Sequence, residues 1–471
     1  MKWLTFSLLV IAISVCGLAT PPKENASFDE ERFLASLRPA VVFDGERETS
    51  NLSERMMRYG ISAVSVAVVR DGKLTFTKSY GTLTKGGEQP ATTTTLFQAA
   101  SLSKAITALG ILALADDGGF SLDDPVNSHL KGWKLPKGDK VTIADLLSHT
   151  GGVNVPSYPG FSLEEVLPSI LQILNGAPNS KSKAVGAADS RGKFRYSGGG
   201  YMVLQKLIES KTGLSFPRFM ARRVFRPSGA ILSHFNTLQV DDQHSDIAMG
   251  HRYNTEAIQG GWLIYPQAAP AGLWSTPTDL ANVLIAFLKA YQGNDQTLFS
   301  SALAERLARP IDQNMGLGFG AHGSGRDLLV DHAGWTHGYR SYMVAFPERG
   351  DAAVIMTNGN AGNRLIDEMM RSLSSQLGWS AYKPKRIKRQ RWSFQDLANL
   401  AGQYKMNPAG FTVRLKANGD HLQMTTPRGS THDLYPVSDN KLIMIEDGEE
   451  VTIQLEERTL TFWGMTAKKQ D

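Results

Sequence analysis

Ser101 and Lys104 stand three residues apart in the stretch FQAASLSKAITALGILALADDGG, residues 97–119. A serine hydroxyl is a weak nucleophile until a base takes its proton. Residues three apart on a helix share a face, so Lys104 can reach the oxygen of Ser101. The helix N-terminus also favours negative charge developing on that oxygen. The pair can therefore support a covalent acyl intermediate. A second reading makes Ser101 only the residue that caps the helix, although lysine at the third position on makes a poor capping box. The SxxK spacing recurs at Ser128/Lys131, Ser180/Lys183, Ser190/Lys193, Ser380/Lys383 and Ser438/Lys441. Those serines lie in segments that read as polar turns or linkers. Only Ser101 opens a long apolar run. Ala105, Ile106, Ala108, Leu109, Ile111, Leu112 and Leu114 make its helix apolar on nearly all sides, hence buried. Asp117, Gly118 and Gly119 end it.

Other chemistries lack their residues. Ten histidines are scattered without an HExxH pattern, and Cys16 is the only cysteine, so neither a metal nor a cofactor is expected. GxSxG does not surround a candidate serine. SGGG at 197–200 is not a phosphate loop, because no GKS or GKT follows. The net charge of +5 is local: Lys383, Lys385, Arg386, Lys388, Arg389 and Arg391 carry it, and without those six cations the balance is −1. A nucleic-acid binder would spread its basic residues over a face of a folded domain, so no nucleic-acid partner is expected.

The elements that must position the pair follow from periodicity and turn residues. The 471 residues suffice for more than one domain. AVSVAVVRDGKLTFTKSYG reads as two strands around the Asp71-Gly72 hairpin turn. VTIADLLSHTGGV is a short helix ending in glycines. GGYMVLQKLIESKTG is a helix closed by Gly213. SSALAERLAR and the stretch from Asn363 to Leu377 are further helices. Between these two, YRSYMVAFPERGDAAVIMTN gives two strands joined at Glu348 to Asp351. Helices interleaved with antiparallel hairpins predict a sheet flanked by helices, an α+β fold. Beyond Leu397 the texture is strand after strand, with turns at Asn418-Gly419, Pro427 to Ser430, Ser438 to Asn440 and Asp447-Gly448. That spacing predicts a small antiparallel barrel or sandwich. The basic run between the two regions reads as a solvated tether.

The N-terminus reads as an export signal, with Lys2 followed by an apolar stretch from Leu4 to Val15 that is too short to span a bilayer. Cleavage after Ala19 leaves small residues before the cut. A lipoprotein reading of ISVC instead acylates Cys16. Either way the expected location is exported, periplasmic or secreted, with envelope association through the signal region or a lipid on Cys16. The mature chain has no disulfide.

From about Asn51 to Leu377 the chain resembles the serine β-lactamase-like superfamily, in the branch of class C β-lactamases, serine D-alanyl peptidases and related esterases. The resemblance rests on ordered segments: VRDGKLTFTKSYG, TLFQAASLSKAITALGILALADDGGFSLDDPV, VTIADLLSHTGGV, FRYSGGGYMVLQKLIE, PAGLWSTPTDLANVLIAFL and DHAGWTHGYRSYMVAFPERGDAAVIMTN. It implies a β-lactamase/transpeptidase-like antiparallel sheet flanked by helices, with an all-helical region. The family's Tyr-x-Asn motif is matched by YSG. Tyr196 takes the tyrosine position, where the Lys104 ammonium would favour its ionised form and let it act as general base and acid. Gly198 takes the position of an asparagine that, in the family, helps hold the lysine and a substrate carbonyl. HAG matches the family's His-x-Gly form through His332 and Gly334, where glycine permits close approach of the strand backbone. The resemblance further implies an oxyanion hole from the backbone N–H groups of Ser101 and Trp335, with His332 as a polar group over the site. His149, in SHTGG, falls outside the catalytic set and is expected to be a hydrogen-bonded structural residue.

Two look-alike motifs read as structural. The KTG at Lys211 to Gly213 closes a helix, and the SDN at Ser438 to Asn440 makes a turn in the terminal β region. Their order is reversed from that of class A β-lactamases. The expected organisation is a signal over 1–19 (or 1–15), a hydrolase domain over 20–382, a basic linker over 383–396 and a β-barrel domain over 397–471. The expected function is an exported serine hydrolase acting on an ester, a D-amino-acid peptide or amide, or a β-lactam. The expected substrate is a small-molecule or peptide-like acyl compound. The alternative is a non-catalytic envelope binding protein that keeps the fold. The sequence leaves open whether Lys104 or Tyr196 is the base.

Overall fold

The computed structural model describes residues 28–46, 49–188, 190–235, 246–454 and 457–470; the export signal and Cys16 lie outside the described residues. A six-stranded antiparallel sheet runs in the order Lys73–Gly81, Ala63–Arg70, Asp351–Thr357, Tyr339–Phe346, Leu329–Thr336, Gly320–His322. Both faces are covered, and the central strands show why. Ala63, Ala67 and Val69 enter one apolar cluster, while Val64, Val66 and Val68 enter the other. Alternate side chains point to opposite faces, so a strand apolar at every position is one covered on both sides. The Asp71-Gly72 turn has positive φ at both residues, 48° and 71°, as a tight hairpin of this kind needs.

On one face lie the helices Leu102–Asp116, Gly198–Thr212 and Pro277–Tyr291. On the other, Gly362–Leu377 packs against the sheet and against the helices Glu30–Ala35 and Leu52–Tyr59. The helix behind Ser101 is buried at every position from Leu102 to Ala113, as its apolar circumference requires.

The C-terminal region is a closed eight-stranded antiparallel barrel from Gly402 to Lys469, so the barrel and not the sandwich is the fold adopted. The first and last strands pair, Tyr404 with Lys469, which leaves no free edge. All four turns read from the sequence fall between its strands. Tyr404, Met406, Leu415, Leu422, Met424 and Leu434 belong to the apolar cluster that fills it, and the helix Phe394–Leu400 adds Leu397 and Leu400.

The basic run departs from the tether reading. Lys385–Ile387 forms a parallel strand with Val41–Phe43. Arg389, only 7% exposed at its side chain, is paired with Glu46 and Asp420. Val41 and Phe43 then pack with Ile443 of the barrel. A cluster of cations looks solvated in a linear sequence, yet here carboxylates distant in the chain meet it. The barrel is held further by Arg58, which bonds both Asp433 and Glu446, and by Arg364, which reaches the Thr431 carbonyl and His432.

Candidate active site

Ser101 follows a sharp turn between the short strand Phe97–Gln98 and its helix. Ala100 there has φ +53°, a left-handed conformation that costs a non-glycine residue roughly 1–2 kcal/mol. The turn is tied down on both sides. Ala99 N–H donates to the Leu273 carbonyl, and Ser103 Oγ donates to the Ala100 carbonyl and accepts from Leu273 N–H. This leaves Ser101 at the helix start but not as its cap: its hydroxyl makes no capping hydrogen bond. Lys104 Nζ, in a side chain only 3% exposed, donates instead to Ser101 Oγ at 3.1 Å and to the Pro270 carbonyl at 2.7 Å. Of the two readings of Ser101, the geometry favours the one in which the hydroxyl is kept for the lysine.

Tyr196 joins the pair through its ring. Lys104 Nζ lies 4.9 Å from the Tyr196 ring centroid and 6.0 Å from that of Tyr201, on which an ammonium is attracted to the electron-rich face. The Tyr196 hydroxyl makes no hydrogen bond to Ser101 or Lys104. His149 braces the other side of Tyr196, with ring centroids 4.5 Å apart. Its Nδ1 accepts the Ser197 N–H at 3.1 Å, which places the proton on Nε2, and that buried nitrogen has no partner. Burial first, then the nearby Lys104 and His332, holds His149 well below the ordinary histidine range, so it is neutral. Reading His149 as hydrogen-bonded was correct for one nitrogen, but sequence reasoning missed its contact with Tyr196. The signal was its place in SHTGG, a segment that had no catalytic motif to draw attention to it.

The strand Leu329–Thr336 delivers the other residues. A Cβ added at Gly334 would lie 2.3 Å from the Ala99 carbonyl oxygen, 2.1 Å from Ser341 Oγ and 3.2 Å from the Ala100 Cβ. Glycine therefore lets this strand press against the turn that precedes Ser101. Ser341 Oγ donates to the same Ala99 carbonyl, and Thr336 Oγ1 donates to Gln98, so the contact is bonded as well as close. His332, buried at the cleft, bonds the Ala333 carbonyl through Nδ1, which leaves Nε2 as an acceptor. Burial and then the Lys104 charge push His332 down to about 4. It is neutral at physiological pH. The Trp335 side chain is 63% exposed, with the Arg340 guanidinium 4.4 Å from its ring centroid.

These residues share one cleft of about 900 Å³, lined among others by Ser101, Lys104, Tyr158, Tyr196, His332 and Trp335. Gly198 and Gly334 line it too, so every site residue expected from the sequence meets there. The barrel reaches its rim: a Cβ at Gly429 would stand 3.9 Å from Tyr253, which lines the cleft, and cleft residue His337 is held below the ordinary histidine range by burial, then by Arg252 and Arg340, and last by Arg428 of the barrel. The look-alike motifs stay away from the cleft. Gly213 is a helix C-cap at φ +68°, and Ser438 ends a barrel strand. Among the described residues no three His, Cys, Asp or Glu side chains cluster as metal ligands.

The fold is shared with known proteins. The chain is 23% identical over 421 residues to penicillin-binding protein 4* of Bacillus subtilis, covering 83% of this chain and 90% of that one. Among solved structures it resembles an octameric penicillin-binding protein homologue from Pyrococcus abyssi, with a TM-score of 0.60, 23% identity and coverage of 88% and 98% of the two chains. It also resembles the D-amino acid amidase of Ochrobactrum anthropi SV3, with a TM-score of 0.57, 21% identity and coverage of 69% and 96%. These likenesses fix the fold. Residues 49–372, which carry the sheet, the Ser101–Lys104 pair and the Gly334 strand, match the family model described as Beta-lactamase, and the chain belongs to that family.

Proposed function

We propose that the protein is an exported serine hydrolase that works through an acyl-enzyme on Ser101. The observation that carries this reading is the 3.1 Å contact between the buried Lys104 Nζ and a serine oxygen that caps nothing. Ser101 Oγ attacks the substrate carbonyl, and its proton passes to the unprotonated member of the Lys104–Tyr196 pair, the neutral Lys104 amine or the Tyr196 phenolate. The tetrahedral oxyanion is held by the backbone N–H groups of Ser101 and Trp335, each such donor being worth about 3–4 kcal/mol in the transition state. The bond to the leaving group breaks as the same pair returns the proton to it. Water then attacks the ester on Ser101, loses its proton to the pair, and frees the acid and the serine. Neutral His332 stands over the site as an acceptor and adds no second cation beside Lys104. The substrate is an ester or a D-amino-acid peptide or amide. Lys2 and the apolar stretch from Leu4 to Val15 support export, by a signal over residues 1–19 or with a lipid on Cys16.

The test is to incubate the purified mature chain with a fluorophosphonate probe and with fluorescent penicillin, and to locate each adduct by mass spectrometry. Labelling of Ser101 by the fluorophosphonate is expected, and loss of labelling in Ser101→Ala. No adduct on folded protein with either reagent refutes the enzyme reading and favours a binding module built on the same fold.

A further inference from the structure

The three glycines 198–200 begin a helix, and the loop 153–158 lies directly on that helix start. Gly198 N–H donates to the Pro156 carbonyl at 3.0 Å, Gly199 N–H to the Val155 carbonyl at 2.9 Å, and Ser197 Oγ to the Asn154 carbonyl at 2.9 Å. A Cβ at 199 would meet the Asn154 oxygen at 2.6 Å, so only glycine admits the loop this closely. Val155 is held at φ +59°, a conformation that β-branched residues avoid and that the surrounding bonds impose. The result is the placement of Tyr158. Its ring carbons lie 3.2 and 3.3 Å from where a side chain at 198 would start. The ring therefore occupies the space above Gly198 that faces the Ser101 cleft.

The tyrosine presents its ring to that cleft and not its hydroxyl. Tyr158 lines the cleft, yet its hydroxyl oxygen is buried from water and has no hydrogen-bond partner. Phe194, Tyr265, Pro270 and Met315 also line the cleft. With glycine at 198, no polar side chain projects from that position. An amide lying against the Tyr158 ring loses water there and finds no hydrogen-bond partner in the ring or at position 198.

We propose that Tyr158 sets the acyl specificity of Ser101, selecting acyl groups that are aliphatic or aromatic and carry no amide next to the scissile carbonyl. The proposal rests on the serine hydrolase reading and adds the substrate class to it. The test compares two esters with one leaving group, p-nitrophenyl phenylacetate and the p-nitrophenyl ester of N-acetylglycine, each corrected for spontaneous hydrolysis. The full chain is expected to favour the phenylacetyl ester in kcat/KM by roughly tenfold, the usual scale of discrimination by an apolar wall. Tyr158→Phe keeps that ratio, and Tyr158→Asn brings it to about one or below. A wild-type ratio at or below one overturns the proposal, as does loss of the ratio in Tyr158→Phe or its persistence in folded Tyr158→Asn. The wild-type and Tyr158→Phe results decide the matter if Tyr158→Asn does not fold. Fluorophosphonate labelling of Ser101 separates the two readings. A labelled enzyme with the wrong ratio loses only the acyl assignment, whereas an unlabelled one loses both.

Discussion

Gly334→Ala puts a single methyl group where the strand carrying His332 and Trp335 meets the turn carrying Ser101. Its Cβ would stand 2.3 Å from the Ala99 carbonyl oxygen and 2.1 Å from Ser341 Oγ. Ser341 can rotate away, but Ala99 cannot, because its N–H is bonded to the Leu273 carbonyl and it sits in the backbone turn that leads into Ser101. The strand must then retreat by about 1 Å to bring the methyl to ordinary van der Waals distance. Overpacking of this kind costs about 1–3 kcal/mol of stability. The effect on rate is larger. A displacement of about 1 Å in a positioned group lowers catalysis by roughly 10²-fold, and an oxyanion donor withdrawn altogether by about 10²–10³-fold. The assay is the fluorophosphonate labelling rate of Ser101 together with ester kcat, measured at a temperature where thermal unfolding shows the variant folded. The expected result is a fall of at least about 10²-fold in kcat with KM little changed. The double variant Gly334→Ala/Ser341→Gly is not rescued, because the Ala99 contact remains. A Gly334→Ala enzyme within about threefold of wild type would refute the placement of the oxyanion hole on this strand.

Four further outcomes are expected. Ser101→Ala abolishes labelling but changes stability by less than about 0.5 kcal/mol in denaturant unfolding, because the hydroxyl caps nothing; a loss near 1 kcal/mol or more would restore the capping reading. His432 is pushed down to about 3 by burial and by Arg364, and His332 to about 4 by burial and by Lys104. Both lie below the ordinary histidine value, so the unfolded chain binds more protons and stability falls as pH drops from about 6.5. His432 alone removes about 2 kcal/mol between pH 7 and pH 5, and His432→Asn should show a correspondingly flatter pH dependence of melting. Arg58→Met leaves Asp433 and Glu446, whose side chains are 6% and 2% exposed, without their shared cation, and costs about 3 kcal/mol in thermal unfolding; an unchanged melting temperature would show that the barrel is held by other contacts. Lys211→Ala and Asn440→Ala, in the two look-alike motifs, leave kcat/KM within a factor of about two, since surface changes far from the cleft rarely matter.

The local elements were legible because their causes are local. The Asp71-Gly72 turn, the apolar strands around it, the buried helix behind Ser101 and the barrel turns each follow from residue types a few positions apart. The site was legible only in part. Ser101 and Lys104 are three residues apart, so helix geometry alone unites them, but Tyr196, His332 and Trp335 were placed by resemblance to a family. The basic run shows the limit. Glu46 and Asp420, which neutralise Arg389, stand far from it in the chain, and no local pattern announces them. Tyr158 was missed for the same reason, since its link to Gly198 crosses forty residues and depends on a loop held in an unfavourable conformation.

That a serine and a lysine share one helix face, that the helix is buried and that an all-β unit follows can all be read from neighbouring residues. Periodicity and turn chemistry act over a few residues, and those features need nothing more. Folding in three dimensions is what gives the Ser101 hydroxyl to Lys104 and not to the helix end, brings a distant strand against the turn at Ala99 through Gly334, and stands an aromatic ring over Gly198. Each of these is a close approach between segments far apart in the chain, fixed by packing that no single segment contains.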